Sequence, residues 1–252
     1  MSERPVVFSA SSVNAYLDCH LRWYFSYVLG EPGMGSEPQR VGIKIHDYAE
    51  RSLKNLGTVF VCDDPEIMGL AGVWNRDILP TYRWPLLIEE PFQITVNDIG
   101  FSGIIDSLDQ QDIGIVDQVD WDSEGREAMD PYPVYANILR DLKSTGKRPP
   151  AGKYRFNMVG YFLGVTEGLG FPVHAIQLDY IVRTQKPYYW PEVVPIPEEE
   201  DIQEFAATLE RAANGVARGD YEPTGLGTYV CGYCSHQSIC GPYARLQEVT
   251  NG

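Results

Sequence analysis

The chain has 252 residues, 44% hydrophobic and 22% charged, with a formal net charge of −15. This is the composition of a folded globular protein long enough to bury a sizeable core, and it excludes a disordered chain. No apolar run approaches the roughly 18 residues of a membrane span, and the acidic balance excludes a basic nucleic-acid coat protein.

Taken in order, Ser9 or Ser11 caps a first helix whose apolar rhythm runs Val13, Tyr16, Leu17, Trp23, Tyr24 and Tyr27, with Cys19 inside it. Residues 30–35 are a break. A second helix starts near Arg40 and carries His46, Tyr48, Ala49 and Leu53, and a third is expected over 63–83. Strands follow at 86–96, 101–108, 113–121 and 134–143, rich in β-branched residues and separated by Gly, Asn, Asp and Pro. A helix over 154–169, strands at 173–183 and 188–194, and a helix from Pro197 to Arg218 complete the α/β order, the last helix opening on Glu198, Glu199, Glu200 and Asp201. No repeat or linker interrupts it, so one domain over 1–252 is expected, with a helical insert near 48–85.

Five cysteines are present. The N-terminus lacks the apolar stretch of a signal peptide, which predicts a reducing, cytoplasmic location where thiols serve as metal ligands more often than as disulfides. Cys231, Cys234 and Cys240 are close enough in sequence to converge, Cys19 is a distant fourth, and Cys62 is the outsider. Four thiolates can hold zinc or an iron–sulfur cluster, or they can stay buried and reduced. Zinc sites more often show two close pairs than this triplet with a remote partner.

Asp106 ends the apolar run Phe101–Ile105, and Asp141 with Lys143 ends Ile138–Leu142. On a strand Asp141 and Lys143 share a face while Leu142 turns to the core. Two aspartates on neighbouring strands suit a hard divalent cation such as Mg²⁺, the Leu142 carbonyl offers a further oxygen, and a lysine beside them can orient an attacking water. Taken alone, an Asp-x-Lys pair is equally a solvent-side ion pair of little value, and His46 alone is an ordinary histidine. Between Arg140 and Arg155 six basic residues face one acid, Asp141. This is a patch able to attract phosphate over a Debye length of about 8 Å, or else a solvated loop.

Together these motifs resemble the RecB-like branch of the PD-(D/E)xK nuclease superfamily, in particular the iron–sulfur exonucleases of phages and CRISPR systems. The resemblance spans almost the whole chain. It rests on the helix leading to Cys19 and Trp23-Tyr24-Phe25, on Gly42-Ile43-Lys44-Ile45-His46, on Gly103-Ile104-Ile105-Asp106, on Asp141-Leu142-Lys143-Ser144-Thr145, and on Pro223 followed by the cysteine triplet. It implies a restriction-endonuclease-like mixed central sheet flanked by helices. The N- and C-terminal segments would be joined by a [4Fe–4S] cluster on Cys19, Cys231, Cys234 and Cys240, with the C-terminal cluster segment at 219–243. His46, Asp106, Asp141 and the Leu142 carbonyl would hold Mg²⁺ or Mn²⁺, with Lys143 assisting the water. The implied activity is that of a DNA exonuclease, with a DNA single strand or duplex end as partner, single-stranded ends being the expected substrate, and with recombination or CRISPR adaptation proteins as further partners. Where the family carries Gln-x-x-x-Tyr, this chain has Asn157 and Tyr161, an amide one methylene shorter. Lys147, Arg148, Lys153 and Arg155 would engage phosphates. The competing readings are a catalytically silent DNA- or partner-binding adaptor of the same fold, and a zinc-stabilised enzyme acting on another substrate.

Overall fold

The computed structural model describes residues 6–31, 33, 35–55, 60–116 and 132–251. Five strands, β1 (Trp84–Val96), β2 (Ile99–Val116), β3 (Tyr132–Thr145), β4 (Ala175–Val182) and β5 (Tyr188–Val194), form one sheet in the order β1-β2-β3-β4-β5. All neighbours are antiparallel except β3 and β4, which run parallel. The parallel step requires a crossover. It is supplied by α5 (Arg155–Leu163) and the π-helical turn Gly164–Gly168 that prolongs it. This is the mixed sheet with flanking helices that a restriction-endonuclease-like fold requires.

Two apolar clusters cover the sheet. One joins Phe92, Phe101, Ile105, Leu108 and Leu139 of the sheet to α1 (Ala10–Asp18), α5 and α6 (Glu199–Ala217). Glycine permits the close approach of α5: a Cβ on Gly164 would lie 2.4 Å from the Phe92 ring, and one on Gly160 would lie 2.8 Å from Phe101. The second cluster joins Leu142 and Ile181 to α3 (Glu37–Lys54), α4 (Met68–Val73) and the turns that follow α4. The region 48–85 therefore contributes a core of its own against the opposite face. A buried polar network lies beside this second cluster. Arg140 Nε donates to Asp179 Oδ2 at 2.9 Å, its terminal nitrogen donates to Thr81 Oγ1 at 2.8 Å, and its guanidinium sits 3.8 Å from the Tyr82 ring centroid.

Several expected boundaries move. Cys19 does not lie within a helix: its backbone is extended (φ −165°, ψ 117°) and it separates α1 from α2 (His20–Trp23). The helix expected over 63–83 is broken into α4, a π turn (Trp74–Ile78) and a 3-10 turn (Leu79–Thr81). The strand expected at 113–121 is not a separate element. Its first residues, 113–116, continue β2, because Gln110-Gln111-Asp112 stay paired with Asn137, Ala136 and Tyr135 instead of turning. Residues 117–121 lie outside the described residues. The helix expected over 154–169 ends its α-helical part at Leu163. α7 (Tyr229–Gly232) and α8 (Gly241–Asn251) flank the cysteine triplet. No described helix is long and apolar enough to cross a membrane.

Candidate active site

His46 projects from α3 towards the point where β1 and β2 both change face. On β1, Phe92 and Ile94 belong to the first cluster, whereas Ile88, of the same parity, packs on the second. On β2, Phe101 and Ile105 face the first cluster and so does Leu108, of opposite parity. The switches fall at Glu89 and Asp106, which the ladder sets opposite each other between the pairs Ile88–Ser107 and Glu90–Ile105. Glu89 has φ +50°, in the left-handed region that non-glycine residues seldom occupy. Such strain costs on the order of 1–3 kcal/mol and is found most often at functional sites.

The irregularity brings His46, Glu89 and Asp106 together, with one ligand atom from each within 4.8 Å of the others. His46 Nδ1 lies 3.4 Å from Asp106 Oδ2, and the same oxygen accepts the Leu142 backbone N–H at 2.7 Å. That bond fastens Asp106 to β3 just beyond their last ladder pair, Ser107–Arg140. One residue along β3 from each side of Leu142 stand Asp141 and Lys143, whose Oδ2 and Nζ are 2.5 Å apart. Leu142 faces the core, as the alternation predicts. Asp141 is only 1% exposed, and neither of its oxygens has a hydrogen bond besides the ion pair. It is therefore not a solvent-side ion pair. His46, Glu50, Glu89, Lys143 and Ser144 line one open depression.

Crowding sets the charges. Burial pushes the Glu89 carboxyl up to about 7, and Asp106 adds to the effect. Burial also raises Asp141, although Lys143 opposes it. For Asp106 burial acts the same way but is outweighed by His46, Lys143 and the Leu142 N–H, so its carboxyl is held low. Burial opposes charge on Lys143 and His46 as well. The carboxylates outweigh it at both, keeping the ammonium protonated and raising the imidazole. Lys143 is thus a fixed cation and donor, not a base. A strained site that gathers three acids, one with unbonded oxygens, fits a divalent cation with oxygen and imidazole ligands.

The remaining expected residues divide. Tyr161, in the second turn of α5, is half-buried; burial and then Asp141 push its hydroxyl up to about 12. Asn157 accepts from Asn14 Nδ2 at 3.0 Å, so its amide ties α5 to α1. Arg155 does not stand free for phosphate: it pairs with Asp201 at 2.5 Å and donates to the Pro195 carbonyl. Arg140 and Lys143 are likewise taken, leaving Lys147, Arg148 and Lys153 exposed. Cys19, Cys231, Cys234 and Cys240 line one cavity with Arg22 and Phe25 among its walls. All four thiols are free and half-buried, and Cys62 is elsewhere. Sequence reasoning missed Glu89. Its neighbours Ile88, Glu90 and Pro91 read as an ordinary charged strand, and its place opposite Asp106, between the pairs Ile88–Ser107 and Glu90–Ile105, leaves no signal in the local sequence.

A family model described as the PD-(D/E)XK nuclease superfamily matches residues 7–241. This chain belongs to the PD-(D/E)XK nuclease superfamily. Among solved structures, a putative exonuclease from Eubacterium rectale superposes with TM-score 0.55 at 13% identity, over 86% of this chain and 83% of that one, a likeness of fold. A second, SSO0001, gives a TM-score of 0.46 at 13% identity over 96% of this chain and 90% of that one, too low to bear on the argument. No curated protein matches by sequence. Membership supports nuclease activity.

Proposed function

We propose that this PD-(D/E)XK protein is a Mg²⁺- or Mn²⁺-dependent deoxyribonuclease that removes nucleotides from the ends of single-stranded DNA. The observation that carries the reading is the meeting of His46, Glu89 and Asp106, beside the Asp141–Lys143 pair, at an open depression that His46, Glu89 and Lys143 line. His46, Glu89 and Asp106 would hold the cation, with Asp141 and the Leu142 carbonyl completing its oxygen ligands. When bound, the cation lowers the pKa of water and polarises the phosphoryl oxygen. Lys143, held protonated, donates to the scissile phosphate and offsets the charge that develops on it. Asp141 fixes the ammonium, and the half-buried Tyr161 hydroxyl keeps its proton for donation at neutral pH. Lys143→Ala should lower cleavage of an end-labelled single strand with Mn²⁺ at least a thousandfold while leaving the circular dichroism spectrum unchanged. Wild-type rates in that variant would reject the assignment. Circular single strands should resist digestion if ends are required.

The cavity lined by Cys19, Cys231, Cys234 and Cys240 would hold a [4Fe–4S] cluster on its four thiols. Iron and sulfide in anaerobically purified protein would support this reading; stoichiometric zinc would reject it.

A further inference from the structure

Resting on the nuclease reading, we propose that a row of aromatic and cationic side chains running from Lys143 to the β5 edge is the track on which single-stranded DNA stacks as it enters or leaves the site. The row follows from strand register. Lys143 of β3 is the ladder partner of Tyr180 on β4, and Tyr180 is the partner of Trp190 on β5. Side chains paired across neighbouring strands share a face, so the three form a line crossing two strand spacings, roughly 10 Å. The Tyr180 and Trp190 rings stack at 5.0 Å and 23°. Tyr180 is buried, and it makes a rigid floor for Trp190. Tyr154 joins the line to the catalytic end: its centroid lies 6.2 Å from Tyr180, 5.5 Å from Lys143 Nζ and 5.1 Å from Lys153 Nζ. At the far end the Arg148 guanidinium lies 4.9 Å from the Trp190 centroid and 5.7 Å from that of Tyr188.

Charge complementarity identifies the occupant. Arg148 and Lys153 are exposed, and among the described residues neither has an ion-pair partner, whereas Arg140, Lys143 and Arg155 are all paired. In a chain of net charge −15, unpaired cations beside exposed aromatic faces form a local site for a polyanion that also carries flat bases. Tyr188, 37% exposed, and the half-buried Trp190 offer those faces. Arg148 lies where it can turn from the rings to a phosphate. Duplex DNA, its bases already stacked, cannot use such a track.

The test is equilibrium anisotropy of a fluorescent oligothymidylate with the full chain in EDTA, where cleavage is suspended. Arg148→Ala and Tyr188→Ala, both at exposed positions, should each weaken binding about tenfold. Arg148→Ala should also reduce the slope of log K against log salt by about 0.7. Trp190→Ala should weaken binding more, with its melting temperature measured alongside because it supports Tyr180. Wild-type affinity in both exposed variants would overturn the track, as would an equal loss on a blunt duplex. Hydrolysis of thymidine 5′-(p-nitrophenyl phosphate) by the wild-type protein with Mn²⁺ tests the nuclease reading separately. If no hydrolysis occurs and the variants still lose oligonucleotide binding, the track stands without it.

Discussion

Glu89 shows what a single residue adds to this site. It sits at positive φ, opposite Asp106, and burial raises its carboxyl from 4.5 to about 7. Between those two values the folded protein holds a proton that the unfolded chain has released, so metal-free stability falls as pH rises from about 4.5 to 7. Asp141 and His46, also raised, act with the same sign. Asp106, held low, acts oppositely and only below the usual aspartate range. Glu89→Gln should flatten the decline by on the order of 1–2 kcal/mol, the full shift being reduced by solvent screening of a partly exposed group. Urea titrations in EDTA at pH 4.5, 6 and 7.5 measure it, and an unchanged slope would show that the carboxyl titrates normally. The same variant should bind Mn²⁺ on the order of ten- to a hundredfold more weakly by calorimetry, a loss expected when a ligand-sphere group is removed.

At the level of elements, β3 carries the proposed catalytic pair on one face and its own anchorage on the other. Asp141 and Lys143 alternate with Arg140 and Leu142, and Arg140 is held by Asp179 of β4, whose other oxygen accepts from Gln177 and Tyr189, each at 2.7 Å. Removing Asp179 leaves the buried guanidinium with Asp109, 4.0 Å from its Nη1, as its remaining carboxylate and no hydrogen bond from Nε. Asp179→Ala should therefore cost about 3–5 kcal/mol, read as a fall in the urea midpoint. Replacing both partners with apolar residues should recover most of that loss. A small effect of the single change would mean that water reaches Arg140. The face shared by Asp141 and Lys143 was legible in the sequence, because a period of two puts residues 141 and 143 together whatever the tertiary fold. Its anchoring face was not, since Arg140 read as part of a basic patch until a strand 39 residues later supplied Asp179. Glu89 escaped for a similar reason: its role depends on a face switch at Asp106 that leaves no local pattern. The long β2 was misread because Gln110-Gln111-Asp112 look like a turn, and only pairing with β3 keeps them extended. The break at Cys19 was hidden within a continuous apolar rhythm that a helix and two shorter helices satisfy equally.

Across the whole molecule, the two ends of the chain meet where Cys19 joins the wall built by Cys231, Cys234 and Cys240. Direct protein contacts already hold this region: Tyr16 donates to the Asp220 carbonyl at 3.1 Å, Tyr221 stacks on Trp23 at 6.0 Å, and His236 Nε2 lies 3.2 Å from the Glu31 carbonyl. The segment beyond Asp220, however, has little apolar burial; none of its described hydrophobic side chains enters either core cluster deeply. A metal cluster on the four thiolates would supply the cross-link that packing there does not, and by closing a loop of more than 200 residues it would restrict the unfolded chain most effectively. Glu89, Asp106 and Asp141 belong to β1, β2 and β3, which pack through the two clusters without Cys19, Cys231, Cys234 or Cys240. Cys19→Ser and Cys234→Ser should therefore release the C-terminal segment to limited proteolysis and abolish visible absorbance. Mn²⁺ binding at His46, Glu89 and Asp106 should persist within about tenfold. If either substitution instead eliminated Mn²⁺ binding with the sheet still folded, the cavity would be coupled to the active site, and the cysteines would have to be assigned a part in catalysis and not in tethering the ends.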